Sequence, residues 1–452
     1  MNKSIIYIYN SFTKNIAMII NFCVQNFGSI KEKQTLSFEA DKSKHLEDYY
    51  IINAVNGIRL LKLGLIYGAN ASGKTNVLKA IDFLRSLVIE PENKKTNDLS
   101  FHPFLFDTTI SKASSILSIE FIQNDIRYFY EVEFNKKAIL KEELIHFNPN
   151  RSSIFKRTTN LENQFSKIKL GSKITIDRLS QKNLESNTLW NNTVLGGFLK
   201  TNIEFKELKE VTDWFSNFLQ PIVHTTTELD GYVTSGIDSS VINKHVVVSI
   251  LKKADFNISD VIINKEEKDI PVGFIDFLEK QVKAPIEKVN ELKNKGKVTS
   301  LNIEFEHTVN EEKYSLALEL ESQGTQRYYG FAGLLSQLIS SSIAIPIDEL
   351  ESSLHPDLFT HFLLSFLINS KQSQLIATTH NRELLNNKDI FRNDAIWFTE
   401  KTEKSSTNLY SLADFDSSVI RDTSSVYNAY KIGKLGAVPS LGDYFIDTDN
   451  EN

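Results

Sequence analysis

The alternation of apolar and polar positions divides the chain into stretches of different period. Met18, Ile19, Ile20, Phe22 and Val24 predict a first strand, followed by a turn through Asn26 and Gly28. Leu63, Leu65 and Ile66 predict a buried strand, and Val77, Leu78, Ile81, Leu84 and Val88 recur behind it at helical spacing. After the polar linker Glu90–Ser100, three runs have strand character: Ser114–Phe121, Arg127–Phe134 and Leu140–Phe147. Gln123-Asn124-Asp125 suits a hairpin turn between the first two, and Ser153–Arg157 predicts a shorter strand. From about residue 175 to 297 the texture becomes mostly helical, with helical spacing over Phe205–Phe218 and Val246–Phe256 and breaks at Pro221, Thr225-Thr226-Thr227 and Gly231. Strands return at Leu301–His307 and Tyr314–Leu320, then a helix over Tyr328–Ile339 and a buried strand Ile343–Ile347. Leu358, Phe362, Leu363, Phe366 and Leu367 predict an amphipathic helix, and Gln374–Thr379 a last buried strand. The chain is therefore expected to be α/β, with an N-terminal lobe over 1–174, a mostly helical insertion over 175–297 and a C-terminal lobe over 298–452. Residues 1–17, ahead of the second methionine, Met18, are expected to be a dispensable extension.

Chemistry gathers at the ends of the buried strands. Between the strand at Leu63 and the following helix lies Gly68-Ala69-Asn70-Ala71-Ser72-Gly73-Lys74-Thr75, the pattern Gly-x-x-x-x-Gly-Lys-Thr. Gly68 and Gly73 let the backbone turn tightly enough for its N–H groups to converge on phosphates, and the helix N-terminus adds a favourable dipole. Lys74 would reach the β- and γ-phosphates, and the Thr75 hydroxyl would hold a magnesium ion. The strand at Ile343 ends in Asp348-Glu349. That pair offers Asp348 to the metal and Glu349 to polarise an attacking water. Pro346, just before it, removes a ladder donor and predicts a local break in pairing. The strand Gln374–Thr379 ends in His380, the one of nine histidines placed to hold a γ-phosphate and its water; His355 is the second candidate. Ser322-Gln323-Gly324 precedes a helix and would present a hydroxyl and backbone N–H groups at a second anion-binding terminus. Phe27 is expected in the core, with contact to a base as the lesser reading.

Composition narrows the classes. With 452 residues and 41% hydrophobic content the chain can bury two or three cores. A net charge of −6 argues against coating nucleic acid by bulk charge, leaves room for a local basic patch, and neither indicates nor excludes DNA binding. The single thiol, Cys23, is expected as core filler, and a reducing cytoplasm is the natural compartment. Ile5–Tyr9 is too short for a signal peptide and no run reaches the roughly 18 apolar residues of a membrane span, so neither export nor a membrane partner is expected. Phe274–Lys293 is the best heptad candidate and is broken by Pro285, which excludes a long coiled-coil arm. Lys265-Glu266-Glu267-Lys268 reads as a solvated face.

Gly68–Thr75, Ser322-x-Gly324, Asp348-Glu349, Ser353-Leu354-His355-Pro356 and Thr379-His380 stand in the order of the Walker A, signature, Walker B, D-loop and switch-histidine motifs. The chain thus resembles ABC-type P-loop ATPase heads. It is most similar to the RecF/SMC-like branch of stand-alone bacterial ATPases called AAA15 or AAA21, which includes ATPase subunits of phage-defence and abortive-infection systems and the ATPase half of the overcoming-lysogenisation-defect nucleases. The tail Tyr430–Pro439, the run Ile396-Trp397-Phe398 and the stretch Leu251–Ile258 fit as well. The resemblance implies a mixed central sheet with flanking helices, an antiparallel β subdomain, and ATP and Mg2+ as ligands. It implies a nucleotide held by Gly68, Ala69, Asn70, Ala71, Ser72, Gly73, Lys74, Thr75 and Asn76, a metal held by Thr75 and Asp348, and catalysis by Lys74, Glu349 and His380. Ser322 and Gly324 would come from a second copy in a head-to-tail dimer.

The resemblance further implies a nucleotide-driven switch: the sensor or regulatory ATPase of an antiphage system that controls a separately encoded effector such as a Toprim-type nuclease. The alternative is a RecF/SMC-like DNA-repair ATPase. Glu-Ser-Gln-Gly-Thr replaces the transporter signature Leu-Ser-Gly-Gly-Gln, which disfavours transport. Gln123 sits in a hairpin and is a poor Q-loop glutamine, which leaves that position unassigned. Asp447-Thr448-Asp449, the only terminal Asp-x-Asp, is expected to lack chain to fold into a nuclease of its own.

Overall fold

The computed structural model describes residues 16–254, 256–279, 286–415, 425–439 and 443. The N-terminal extension up to residue 15, Pro285 and Asp447-Thr448-Asp449 lie outside the described residues. Two compact units are present. The first comprises the described residues of 1–225, 341–350 and 367–452, and the second those of 226–340 and 351–366. This division falls at 225/226, 340/341, 350/351 and 366/367.

The first unit is built on two sheets. Seven antiparallel strands run in the order β10-β9-β8-β7-β6-β1-β2. They are β1 (Met18–Gln25), β2 (Gln34–Ser37), β6 (Ser115–Gln123), β7 (Ile126–Phe134), β8 (Ile139–Phe147), β9 (Arg151–Asn160) and β10 (Phe165–Leu170). The hairpin at Asn124 forms as the turn residues predict, with Asn124 and Asp125 both at positive φ. β10 escapes the apolar pattern because one of its two buried positions is Ser166, whose hydroxyl accepts a hydrogen bond from the buried Arg157 at 2.6 Å. A two-stranded ribbon pairs β3 (Ile51–Asn53) with β4 (Arg59–Leu61).

The second sheet positions the chemistry. Its order is β14-β15-β5-β16-β17, with β5 (Leu63–Gly68), β14 (Ala344–Ile347), β15 (Gln374–Thr379), β16 (Ile396–Lys401) and β17 (Thr407–Ser411). Four strands are parallel and β17 runs antiparallel to β16, so the sheet is mixed as expected. β5, β14 and β15 are buried at every position, which explains their continuous apolar runs. Against them packs the helix Lys74–Ile89 through Val77, Leu78, Ile81, Leu84 and Val88, all at most 1% exposed. Buried Gln374 joins the sheets: its amide accepts from the Ile19 N–H at 2.6 Å and donates to the Ile19 and Leu61 carbonyls.

The pairing break expected at Pro346 does not occur. β14 pairs with β15 through four consecutive residues, and on its other side the Pro346 carbonyl accepts the Val223 N–H at 2.9 Å. Only two parallel bridges, Leu219 to Ala344 and Val223 to Ile347, border β14 there, so a missing donor is tolerated as on an edge strand. The helix predicted over Phe205–Phe218 is α-helical only from Lys206 to Asp213 and then widens into a π-turn, Trp214–Phe218. That turn seats Trp214, fully buried, against Phe121 with ring centroids 4.2 Å apart.

The second unit contains the sheet β11-β12-β13, with β11 (Ile258–Asp269), β12 (Lys297–Val309) and β13 (Glu312–Ala317). Lys265–Lys268 is exposed as expected but belongs to β11, a strand where helical texture was expected. The outer half of β11 is solvated on both faces, which erases the alternation that marks a strand. The helix Gln323–Ser340 packs in this unit, with Phe305 against Tyr329 and Phe331 against Phe362.

Candidate functional site

Parallel strands β14, β15 and β5 all deliver their carboxyl ends to one edge, the place where open α/β sheets bind ligands. β5 runs out into Gly68–Gly73, and the helix begins at Lys74. Two positions require glycine. A Cβ on Gly68 would collide with Thr399 and Ser72, and one on Gly73, at φ +106°, would collide with Thr407 and Ser29. Ala71 takes a left-handed conformation at φ 60°, a strained choice for a residue with a Cβ. Lys74, 5% exposed, folds back over the loop and donates from Nζ to the carbonyls of Gly68 at 3.0 Å and Ala69 at 3.1 Å. The ammonium therefore spans the concavity that the sequence assigns to phosphate.

The carboxylates are held with equal definition. Thr75 Oγ1 donates to both oxygens of Asp348 at 3.1 Å. Thr378, at the end of β15, donates to Asp348 Oδ1 at 2.7 Å and accepts the Glu349 N–H at 2.8 Å. One buried hydroxyl thus fixes both acidic residues. Glu349 adopts φ 49°, a strained backbone of the kind found at functional sites. Its Oε1 lies 3.7 Å from Nε2 of His380, too far for a hydrogen bond and close enough for a charge interaction. Both side chains stay partly open to solvent. Lys74, Thr75, Asp348, Glu349 and His380 therefore meet at one sheet edge within the first unit.

The hydroxyl and carboxylate of Thr75 and Asp348 are hard oxygen donors that suit Mg2+. Among the described residues no cluster of three or more His, Cys, Asp or Glu side chains could hold a metal alone. A Mg2+ held by Thr75 and Asp348 would take its remaining ligands from phosphates and water. Gly68, Ala69, Asn70, Ser72, Glu349 and His380 line a common cavity of about 920 Å³, in the range of small-molecule sites.

The sequence did not reveal the hydroxyls that brace the loop. Ser72 Oγ and Thr399 Oγ1 share a hydrogen bond at 2.6 Å, and Thr407 Oγ1 donates to the Ser72 carbonyl at 2.8 Å. Ser29 bonds Thr407 and accepts from Asn76 Nδ2, both at 2.7 Å. Asn76, expected at the nucleotide, is thus tied to Ser29 and lines a second cavity with Gly28 and Lys79. Phe27 is 6% exposed and stacks 5.9 Å from Phe101, the core aromatic of the preferred reading. His224, passed over in the sequence, follows Val223, whose carbonyl accepts the Asp348 N–H at 2.8 Å. Its backbone therefore sits at the same carboxyl edge, on the side of β14 away from β15.

The signature residues lie in the second unit. Ser322, exposed, accepts the Thr325 N–H at 3.1 Å and caps the helix that follows. Gly324 approaches the Ser353 carbonyl of the expected D-loop, where an added Cβ would sit at 3.4 Å. Glu321 pairs with His307 of β12 at 2.7 Å. His355 is exposed beside Asp357.

A family profile described as "AAA domain, putative AbiEii toxin, Type IV TA system" (AAA_21) matches residues 65–192 and 244–386. The chain belongs to this AAA_21 family. It thus carries, over the matched residues, an AAA domain on a mixed α/β fold, with the glycine-rich loop at the end of β5. Among solved structures it is similar to an SMC head bound to the C-winged-helix domain of ScpA, with 14% identity, 87% of this chain and 97% of that one covered, and a TM-score of 0.44. A second is the SMC head domain from Thermotoga maritima, at 13% identity, 87% and 98% coverage and a TM-score of 0.36. A third is an SMC head with an extended coiled coil bound to the C-terminal domain of ScpA, from Pyrococcus furiosus, at 15% identity, 93% and 99% coverage and a TM-score of 0.40. No curated protein matches the chain. Among the described residues of this AAA_21 protein no helix is long and apolar enough to cross a membrane.

Proposed function

We propose that the protein binds and hydrolyses ATP with Mg2+ and uses the cycle as a switch, serving as the sensor or regulatory subunit of an antiphage system that controls a separately encoded nuclease or toxin. The observation that carries the hydrolytic part is the bonding of Thr75 and Thr378 to one Asp348 carboxylate, with Glu349 and His380 beside it. Lys74 and the loop N–H groups hold the β- and γ-phosphates, while Thr75 and Asp348 hold Mg2+. The metal, when bound, neutralises charge on the phosphate oxygens. Glu349 orients the attacking water and takes its proton, and His380 holds the Glu349 carboxylate and the γ-phosphate in register. The strained backbone at Glu349 supports this role, because the Thr378 hydrogen bond maintains a conformation that packing alone does not favour.

Ser322 and Gly324 complete the site from a second copy, so that ATP binding favours a closed head-to-tail dimer and hydrolysis reopens it. The exposure of the Ser322 turn supports this reading. The link to a defence system is supported by the family description, which names a toxin–antitoxin system; placing this chain on the regulatory side is part of the proposal. Glu349→Gln is expected to bind ATP, lose turnover and accumulate as a dimer, and steady-state hydrolysis with size measurement reads both. Wild-type turnover in this variant would remove Glu349 from its role. A neighbouring reading frame that encodes a nuclease or toxin supports the defence role, and recombination genes there would replace it with DNA repair.

A further inference from the structure

Arg382 stands two residues beyond His380, half-buried at the start of the short turn Glu383–Asn386. It lines the same cavity as Gly68, Ala69, Asn70, Glu349 and His380. Another wall of that cavity is the C-terminal segment, through Tyr430, Ala437 and Val438. The Arg382 guanidinium lies over the Tyr430 ring, 5.7 Å from its centroid.

Tyr430 is a fixed platform. It is 3% exposed, its ring packs 5.4 Å from Phe398 and 6.1 Å from Tyr67, and its hydroxyl donates to the Ala437 carbonyl at 3.0 Å. Tyr67 belongs to β5, the strand that ends in the phosphate loop. An aromatic chain therefore links that strand to Arg382. The segment is anchored again by Glu400, which accepts the Ala437 N–H at 3.2 Å, and by Tyr410, which donates to the Leu435 carbonyl at 2.9 Å.

Lys74 and Arg382 differ in what they can recognise. An ammonium is a compact point charge, whereas a guanidinium is planar, permanently charged and able to hold two phosphate oxygens at once. Lys74 already reaches back onto the Gly68 and Ala69 carbonyls, close over the loop. Arg382 follows His380 by two residues and lines the same cavity, and the proposed function puts the last phosphate beside His380. We propose that Arg382, braced on Tyr430, reads the terminal phosphate and sets the preference for a nucleoside triphosphate over a diphosphate. This rests on the ATP reading of the site.

The test is equilibrium binding of AMP-PNP, a non-hydrolysable triphosphate, and of ADP, each with Mg2+, to the full chain. Arg382→Ala is expected to weaken AMP-PNP about tenfold or more and ADP less than about twofold, with Arg382→Lys between because it keeps charge and loses the fork. Retained ADP binding also reports that the variant is folded, and Arg382→Gln carries the test if the alanine variant does not fold. Tyr430→Leu is expected to shift the triphosphate-to-diphosphate ratio in the same direction by less. An unchanged ratio, or equal weakening of both nucleotides, overturns the assignment and leaves the ATP site standing. A wild-type chain that binds neither nucleotide overturns both.

Discussion

The nucleotide edge of the first unit and the signature turn of the second are built on opposite principles. At the edge, each functional group is held by another: Lys74 by two loop carbonyls, Asp348 by Thr75 and Thr378, Glu349 by Thr378. Lys74 and Asp348 are buried, and the loop is braced by hydroxyls from β16, β17 and the turn after β1. Ser322 and Gln323 are exposed, and among the described residues the Ser322 hydroxyl bonds only within the helix it caps. Preorganised donors at a partly buried edge fix charge with little reorganisation. An exposed cap at Ser322 suits a surface that meets its ligand from outside. The contrast supports a division of labour in which one chain grips the nucleotide and another completes the site.

Four perturbations sharpen that contrast, beginning with the most severe. Lys74→Ala removes the buried ammonium bonded to the Gly68 and Ala69 carbonyls and is expected to weaken ATP by roughly 100-fold or more, measured by calorimetry. Next, Ser322→Arg is expected to leave ATP affinity of the single chain within about twofold while turnover falls to background, because the added bulk obstructs only a surface contact. Comparable loss of ATP affinity in this variant would mean that the turn grips nucleotide within its own chain.

Thr378→Val is expected to lower kcat about tenfold with a modest change in ATP affinity, and to cost about 1–3 kcal/mol of stability by leaving the Glu349 N–H unpaired. A urea titration beside steady-state kinetics separates the two effects.

The mildest effect concerns Lys62, buried in the first unit and bonded to the Leu367 and Ser370 carbonyls. Burial lowers its pKa from 10.5 to about 8. The unfolded chain therefore binds the extra proton between these values, so stability rises with pH across that window. Relative to Lys62→Met, the wild type is expected to gain ~1–3 kcal/mol from pH 8 to 10.5, read from urea unfolding at each pH.

Local pattern exposed much of the nucleotide edge. Gln374–Thr379 is a strand over the predicted residues, because a fully buried parallel strand writes itself as a continuous apolar run ended by polar residues. The same holds for the loop at Gly68, where chemistry and backbone demand the same residues. What stayed hidden depends on distance along the chain. Ser29, Thr399 and Thr407 are ordinary hydroxyl residues until folding brings β16 and β17 beside Ser72, more than 300 positions earlier in sequence for the last two. His224 was illegible for the same reason, since only two bridges to β14 place its backbone beside Asp348. β10 and the outer half of β11 were missed because a buried serine and a doubly solvated ladder remove the alternation that a strand ordinarily shows. Pro346 misled in the other direction, as its strand is bordered on one side by isolated bridges that need fewer donors.

The division of labour between the two regions is tested most directly by mixing two inactive chains. Lys74→Ala keeps an intact signature turn and Ser322→Arg keeps an intact nucleotide edge, so each mixed dimer contains one wild-type site. ATP hydrolysis of an equimolar mixture is expected to recover to roughly a quarter of the wild-type rate, since half of randomly formed dimers are mixed and each carries one working site of two. A mixture that hydrolyses no faster than the sum of its separate components would show that the two regions do not meet across a dimer.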